Sequence, residues 1–584
     1  MQTKNTETKK PILSFEFKSA AGELQPLTFS NPDKIIVANT VEEVLPCLQI
    51  IQDAVQNGYY AAGFLSYESA AAFNKAVRTK QRNTMPLLWF GLFSEPEYHS
   101  LTSTGTYHVE KWQSSVNMEE YESAISTIKQ YIESGDTYQV NYTIRLHSEF
   151  QGDDLAFFEK LKKAQTANYC AYINTGEHSI LSTSPELFFH LKDGNITTKP
   201  MKGTAKRGYS CIEDEEIANS LYHSEKNRAE NVMIVDLLRN DLGMIAETGT
   251  VNVAKLFEIE RYPTVHQMTS TITAKVAPNK ELIVILKALF PCGSITGAPK
   301  IRTMDIITEL ETAPREVYCG AIGFITPTKE AIFNVPIRTV IIDQYSGEAT
   351  YGVGGGITWD STVEGEYNEI LAKASFLDKE QPPFQLLESL LLSEGEYFLL
   401  EEHLNRLQNS ADYFSFQYKL KDIKNSLLEF ANQNNNGKLK IRLLLTRNGE
   451  IEMEGVPITQ SKTPLKVALA DQPISKENPF LYHKTTNRDV YTRFQKQHPE
   501  VYDVLLWNEN KELTEFTNGN VVLEIDGVMW TPPVSSGLLA GTFRDTLIKN
   551  GQIHEKTITI ADLKVCTKIW FINSVRKWLE VQII

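Results

Sequence analysis

The six cysteines of this 584-residue chain (Cys47, Cys170, Cys211, Cys292, Cys319, Cys566) are scattered, and no two form a C-x-x-C pair. That excludes a zinc ribbon or a dithiol redox motif, argues against a disulfide framework, and leaves reduced thiols in a cytoplasm as the expectation. None of the six sits in a G-x-C-x-G elbow, so the chain carries no recognisable glutamine-hydrolysing nucleophile. No apolar run is long enough to span a bilayer. The opening MQTKNTETKKP is polar and lacks the hydrophobic region of a signal segment. Positive charge is in deficit. A net charge of −15 argues against a general nucleic-acid binder or a protein of anionic membranes. Internal repeats and long low-complexity tracts are also missing.

A hydrophobic content of 42% and a charged content of 22% suit a soluble globular protein. The length exceeds one ordinary core, so two or three domains are expected. The best boundary lies near 376–385, FLDKEQPPFQ, where Pro382–Pro383 would break any helix. This divides the chain into a domain at 1–377, a linker at 378–385 and a domain at 386–584. Within the smaller part, NQNNNG (432–437) reads as a surface turn. In the larger part, strand-like runs at 60–69, 137–150, 186–191 and 331–343 alternate irregularly with helical runs at 119–133, 213–238, 281–289 and 299–311. This pattern predicts large mixed or antiparallel sheets with helices packed outside, not a strict βαβ winding.

The densest chemistry lies at 351–374, YGVGGGITWDSTVEGEYNEILAKA. A glycine cluster (Gly352, Gly354, Gly355, Gly356) leads into a helix that carries Glu366, Glu369 and Lys373 on one face. Two carboxylates and an ammonium beside closely approachable backbone suit a small acidic ligand bound through a hard metal ion. A tight turn followed by a solvated helix is the plainer alternative. Four other segments read as site. Glu186 follows a proline at the start of an apolar strand in SPELFF. Lys202 lies in PMKGTAKRG near other cations, an arrangement that with partial burial would depress its pKa. Glu230 lies among the apolar residues of the 225–243 helix, where a buried carboxylate needs a partner or a metal. The loop 289–304, LFPCGSITGAPKIRTM, ends at a probable helix start at Ala298–Pro299. Backbone N–H groups at such a start suit a carboxylate. Taken singly, Lys202 reads more readily as an ordinary solvated lysine in a basic loop, and the local pattern of Glu230 also fits a surface position.

The order SPELFF, PMKGT, RAENVMIVDLLRNDLG, YPTVHQMTST, FPCGSITGAPKIRTM, YCGAIGF, FNVPIRT and GVGGGITWDSTVEGEYNEILAKA resembles the chorismate-utilising enzymes over most of residues 120–375. The resemblance implies Mg²⁺ on Glu230 and Glu369 with Glu366 close by. It implies that Ser294, Tyr318, Arg338, Gly354 and Lys373 hold the substrate's two carboxylates, with His266 near the ring. Within the family, anthranilate synthases carry alanine before the Gly-Thr pair and aminodeoxychorismate synthases carry lysine, so Lys202 resembles the latter. The implied chemistry is covalent. Lys202 attacks ring carbon C2, Glu186 protonates the departing C4 hydroxyl, and ammonia adds at C4 and expels the lysine. Ammonia would come from a separate glutamine amidotransferase subunit.

The smaller part carries a second set. His403 and Arg406 lie at i,i+3 on the helical run 399–414, Lys484 in YHKTTNRDVY, Glu515 before a Thr-Asn-Gly-Asn turn, and Gly541–Thr542 at a helix start. A lysine, a carboxylate, an arginine and a helix N-terminus are the parts of a pyridoxal phosphate site. Each alone has a mundane reading. The order EEHLNRL, HKTTNR, LTEFTNGN and GLLAGTFR resembles the fold-type IV pyridoxal-phosphate enzymes. That implies Lys484 as Schiff-base lysine and proton shuttle, and Glu515 paired with the pyridine nitrogen. Arg406, Asn518, Gly519, Gly541 and Thr542 would surround the phosphate.

Together the resemblances imply an α+β, mixed fold class, with large mostly antiparallel sheets flanked by helices in an N-terminal chorismate-binding domain. A two-subdomain fold-type IV domain would follow. They imply p-aminobenzoate and pyruvate as products of chorismate and ammonia, with a C-terminal aminotransferase or an anthranilate-type first half as alternatives. By analogy a homodimer forms through the smaller domain. No nucleic acid or membrane partner is expected.

Overall fold

The computed structural model describes residues 10–18, 24–80, 84–378, 383–459 and 464–584. Residues 379–382 of the expected linker lie outside them. The chain forms two units. The first comprises Met1–Lys206 and Ala218–Glu380; the second comprises Arg207–Ile217 and Gln381–Ile584.

The first unit is built on two ten-stranded sheets. One centres on the long strand Gln139–Gly152, paired with Glu348–Ile357 on one side and Gly297–Ala298 on the other. The second runs from Met201–Lys206 through Val265–Lys275 to the edge strand Lys34–Ala38. Every pairing noted here is antiparallel. The sheets pack face to face through an aromatic core. Phe29 of the first sheet meets Tyr60, Phe93 and Phe324 of the second at ring distances of 6.1, 5.1 and 6.1 Å. Each outer face is covered by helices. Val41–Gln56, Glu225–Gly243 and Leu282–Leu289 pack on one sheet. Met118–Glu133, Asp154–Gln165 and Lys300–Leu310 pack on the other.

Three sequence expectations change here. The run 331–343 is not one strand. Ala331–Asn334 belongs to the second sheet and Thr339–Asp343 to the first, with the break at Val335–Arg338, where Arg338 has φ +53. The helical run 213–238 is two helices, Cys211–His223 and Glu225–Gly243, because Ser224 caps the second through its side chain onto Asn227 N–H. Arg207–Ile217, assigned by sequence to the larger domain, clusters instead with the second unit. There Arg207 makes a forked pair with Asp214 and donates to Tyr413 O at 3.1 Å.

The second unit has two sheets. Four strands, including Leu386–Ser393 and Lys438–Leu445, pack on the helices Leu400–Phe414 and Leu420–Gln433. The eight-stranded sheet curls until Leu513–Phe516 pairs with Gly519–Ile525, closing a ring. The fold class is the expected mixture of antiparallel sheets and flanking helices.

Because Phe29 is fully buried against both sheets, Phe29→Ala is expected to cost the first unit about 3–5 kcal/mol. Urea unfolding measures this; a loss below about 1 kcal/mol would mean the sheets do not depend on this aromatic layer.

Candidate active sites

The first unit encloses a cavity of about 370 Å³. Ten of the expected residues line it: Glu186, Lys202, Glu230, Ser294, Tyr318, Arg338, Gly354, Glu366, Glu369 and Lys373. His266 does not. It is fully buried on Val265–Lys275, and the next residue, Gln267, faces the cavity instead. Successive strand side chains point to opposite faces, so a one-residue offset decides which is usable.

The glycine cluster is a strand, not a loop: Gly352–Gly356 pair residue by residue with Arg145–Asn141. None of these glycines is needed for a turn. They are needed because side chains press on the backbone. A Cβ on Gly352 would lie 2.4 Å from the Tyr318 ring, and one on Gly356 would lie 2.2 Å from Lys202 Nζ and 2.7 Å from Gln139 Nε2. A Cβ on Gly355 would lie 3.1 Å from Glu366 Oε2. The strand thus forms a smooth floor on which the lysine and the carboxylates converge.

Lys202 stands on the edge strand Met201–Lys206, its carbonyl held by Asn231 Nδ2 at 3.3 Å. Burial pulls its ammonium pKa down, and Glu230 opposes that only in part. Glu186 shows the reverse. It is 3% exposed and accepts from Ser294 Oγ at 2.5 Å. Burial nevertheless pushes its pKa up to about 7, with the Ser294 bond and Lys202 opposing. One cavity therefore holds an amine biased toward its neutral form and a carboxyl biased toward its protonated form.

The helix Val363–Ala374, capped by Thr362, presents the remaining charges. Glu369 pairs with Lys373 at 2.6 Å, and Lys373 Nζ also donates to Gly354 O at 2.8 Å. Ser361 Oγ donates to Glu366 Oε1 at 2.6 Å. Carboxylates are the right donors for Mg²⁺. Among the described residues, however, no three acidic, histidine or cysteine groups converge as a metal seat. The expected metal set is two carboxylates, Glu230 and Glu369, with Glu366 close by, and all three line this cavity. Sequence reasoning also missed Gln139, a fully buried residue whose side-chain N and O both lack hydrogen-bond partners beside Lys202. A polar residue opening an apolar strand run was its only signal.

The second unit holds a cavity of about 360 Å³, lined by all seven expected residues: Arg406, Lys484, Glu515, Asn518, Gly519, Gly541 and Thr542. Burial, with Arg406 and Arg488 adding to it, lowers the Lys484 pKa to about 7. Burial raises Glu515 to about 7, while Tyr491 donates to it at 2.8 Å. Gly541 caps the helix Thr542–Lys549, so its first N–H groups are open to an anion. Asn520 Oδ1 sits 2.0 Å from where a Gly541 Cβ would be, so no other residue fits there without a shift. A lysine of near-neutral pKa, a buried carboxyl and an anion seat fit pyridoxal phosphate.

Arg406, expected beside the phosphate, lines the cavity and is also ion-paired. Its Nε and Nη2 both engage Glu388, at 2.9 and 2.7 Å, and His403 Nδ1 lies 2.7 Å from the same carboxylate. Burial would raise the Glu388 pKa, but Arg406 and His403 overcome it and hold it at about 2. A single carboxylate in the apolar strand LLESLLLS was the available clue, since such a group must be paired.

Residues 10–379 match the family model described as chorismate binding enzyme, and residues 385–584 match that described as amino-transferase class IV. The chain belongs to the chorismate binding enzymes, with a class IV aminotransferase-like domain in its C-terminal part. It is 42% identical over 264 residues to aminodeoxychorismate synthase component 1 of Salmonella typhimurium, covering 45% of this chain and 58% of that one. It is 39% identical over 276 residues to the protein of the same name from Bacillus subtilis, covering 47% and 56%. The chain thus spans little more than half the length of these relatives. The crystal structure of anthranilate synthase component I from Streptococcus pneumoniae shares the fold, with a TM-score of 0.51, 24% identity, and 63% and 92% of the two chains covered. No helix among the described residues is long and apolar enough to cross a membrane.

Two outcomes follow from the geometry. Gly356→Ala forces a Cβ against Lys202 Nζ and is expected to cut activity at the first cavity by more than about 100-fold. Activity at the second is expected to be unchanged, as separate assays would read. The pKa of Glu388 is depressed below its ordinary 4.5, so its pairing stabilises the fold above that pH and is lost as pH falls toward about 2. Glu388→Gln should be less stable at pH 7 and should lack this component of acid destabilisation, measured by denaturant midpoints between pH 5 and 2.

Proposed function

We propose that the first unit aminates chorismate to 4-amino-4-deoxychorismate, and that the second removes pyruvate from that product to give p-aminobenzoate. The observation that carries the reading is the pairing of Lys202 and Glu186 in one cavity, with pKa values shifted in opposite directions. A nucleophilic amine must be neutral and a general acid must hold its proton, and burial supplies both conditions. Lys202 Nζ attacks C2 of the ring. The C4 hydroxyl leaves with the proton of Glu186, the ring double bond shifting toward C4. Ammonia then adds at C4, and the electrons return to expel Lys202. Ser294 holds the Glu186 carboxyl in place. Arg338 and Lys373 are the cations available to the substrate's carboxylates.

A divalent Mg²⁺ would be held by Glu230 and Glu369, with Glu366 beside them, once a substrate carboxylate completes the set and draws Lys373 off Glu369. It would neutralise charge there. Ammonia is expected from a separate glutaminase subunit. The relatives are each named a component 1, and no glutaminase elbow exists in this sequence.

In the second cavity pyridoxal phosphate, when bound, supplies an electron sink for the substrate amine. Lys484 is the base placed to take the C4 proton, since its pKa near 7 leaves much of it neutral at physiological pH. Loss of that proton and departure of the enolpyruvyl group from C3 aromatise the ring. Glu515 would pair with the pyridine nitrogen, and Thr542 and the helix start at Gly541 would hold the phosphate. A homodimer through this unit and a cytoplasmic location belong to the same reading.

Product analysis tests it. Wild type with chorismate, ammonium, Mg²⁺ and pyridoxal phosphate is expected to release p-aminobenzoate. Lys484→Ala should stop at aminodeoxychorismate, and Lys202→Ala should lose the first step by at least about 100-fold. Anthranilate as product would overturn the Lys202 assignment. Aminodeoxychorismate accumulating in wild type, or amino transfer to a keto acid, would overturn the lyase assignment. Mg²⁺ alone should bind weakly and should tighten when chorismate is present, as calorimetry would read.

A further inference from the structure

We infer that Lys440 and Arg576 form a carboxylate-binding subsite in the second cavity, which selects an amine with two carboxylates over a monocarboxylic amino acid. The inference deepens, and rests on, the reading of that cavity as a pyridoxal phosphate site for a chorismate-derived amine.

Charge is unevenly distributed around this cavity. Arg406, Lys440, Lys484, Arg488 and Arg576 all line it. Arg406 is bound to Glu388, and Lys484 is the reactive amine. Arg488 donates to Thr517 O at 2.6 Å and to Asn518 Oδ1 at 3.1 Å, against the Tyr491 ring on the wall that carries Glu515. Among the described residues, Lys440 and Arg576 form no ion pair. The carboxylates on the cavity wall cannot supply one, because both are already engaged. Glu515 takes the Tyr491 hydroxyl. Asp503 takes the Thr517 hydroxyl at 2.5 Å, the Thr517 N–H at 2.9 Å and Asn518 Nδ2 at 3.0 Å.

The two cations are built into one wall. Lys440 lies on the strand Lys438–Leu445, in line with Arg442 two residues on. That strand pairs with Leu386–Ser393, where Ser389 stands opposite Arg442 and itself lines the cavity. Ser574 Oγ donates to Ser389 O at 3.3 Å, which ties the turn after Lys568–Asn573 to the same place. In that turn Asn573 Oδ1 accepts from Val575 N–H at 3.1 Å and Arg576 N–H at 2.7 Å, fixing the arginine's backbone. Partial burial and the fields of Arg442, Arg488 and Arg576 lower the Lys440 pKa. Among the described residues, Lys440 forms no ion pair and the Arg576 guanidinium donates only to the backbone oxygen of Thr459, so their like charges repel across this wall and an anionic ligand relieves the repulsion. The cofactor's phosphate is drawn to the helix start at Gly541–Thr542. The anion left for Lys440 and Arg576 is a carboxylate of the substrate. A monocarboxylic amino acid would leave this set short of negative charge. A ring acid with a second carboxylate on an ether side chain would satisfy it.

The test uses the full chain loaded with pyridoxal phosphate and follows the visible absorption band of the bound cofactor, which reports on this cavity alone. The probes are 3-(carboxymethoxy)benzoate, with two carboxylates, and benzoate, with one; neither carries an amine. The dicarboxylate is expected to shift the band with at least about tenfold higher affinity. Lys440→Gln and Arg576→Gln should each weaken the dicarboxylate about fivefold or more while leaving benzoate within about twofold, and Lys440→Arg should retain the preference. An unchanged band in the unliganded variants shows that they are folded and loaded. Equal affinity of wild type for both probes, or equal losses for both in the variants, overturns the inference. If wild type releases p-aminobenzoate yet shows no preference, this subsite alone is wrong. If the preference and its loss are seen but no p-aminobenzoate forms, the subsite stands and the lyase reading falls.

Discussion

An amine can act as nucleophile or base only while it lacks its extra proton, and this chain meets that condition by withholding water. Lys202 and Lys484 lie in separate cavities of unrelated architecture, yet burial is the first cause of the lowered pKa in each. The same desolvation acts on the carboxyl groups nearby, raising Glu186 and Glu515 to about 7. A charge left without water must be lost, paired or used. Here the unpaired ones are those that the proposed chemistry uses.

The contrast lies in the buried groups that stay charged. Glu388 is as buried as Glu515, but Arg406 and His403 meet it directly and hold it ionised. Arg315, 1% exposed, makes a two-point pair with Glu311 and donates to Ile295 O at 2.8 Å and Asn141 O at 2.6 Å. Asn141 and Ile295 both line the first cavity. Such paired ions act as scaffold behind the site, because each guanidinium nitrogen has a fixed acceptor and the surrounding backbone cannot move without breaking several bonds. Full pairing makes an ion structural, and partial pairing beside a cavity makes it reactive.

Most of the site was legible in the sequence because its parts break local rules. A carboxylate beginning an apolar strand (Glu186), glycines clustered in a strand (Gly352 to Gly356) and a single helical face with Glu366, Glu369 and Lys373 have no cheap structural explanation. What was misread concerns direction and partnership. His266 and Gln267 are adjacent, and sequence could not say which faced the cavity. The partner of Arg406, Glu388, lies on a different element, so spacing along the chain could not reveal the pair. The run 331–343 looked like one strand because both pieces are apolar. Only the sheets reveal that Arg338, in the left-handed region, hands the chain from one to the other.

The sequence by itself determined which residue types were present and at what local spacing. That sufficed for the fold class, the helix faces and the candidate lysines, since periodicity and capping are local properties. The tertiary structure alone decided which groups lose water and which meet a partner. Glu186, Lys202, Ser294 and Gly356 are separated by long stretches of chain, and their shared cavity is created by antiparallel strands from both sheets. Desolvation and ion pairing depend on distances through space, so a lysine's reactivity is a property of the fold even when its identity is a property of the sequence.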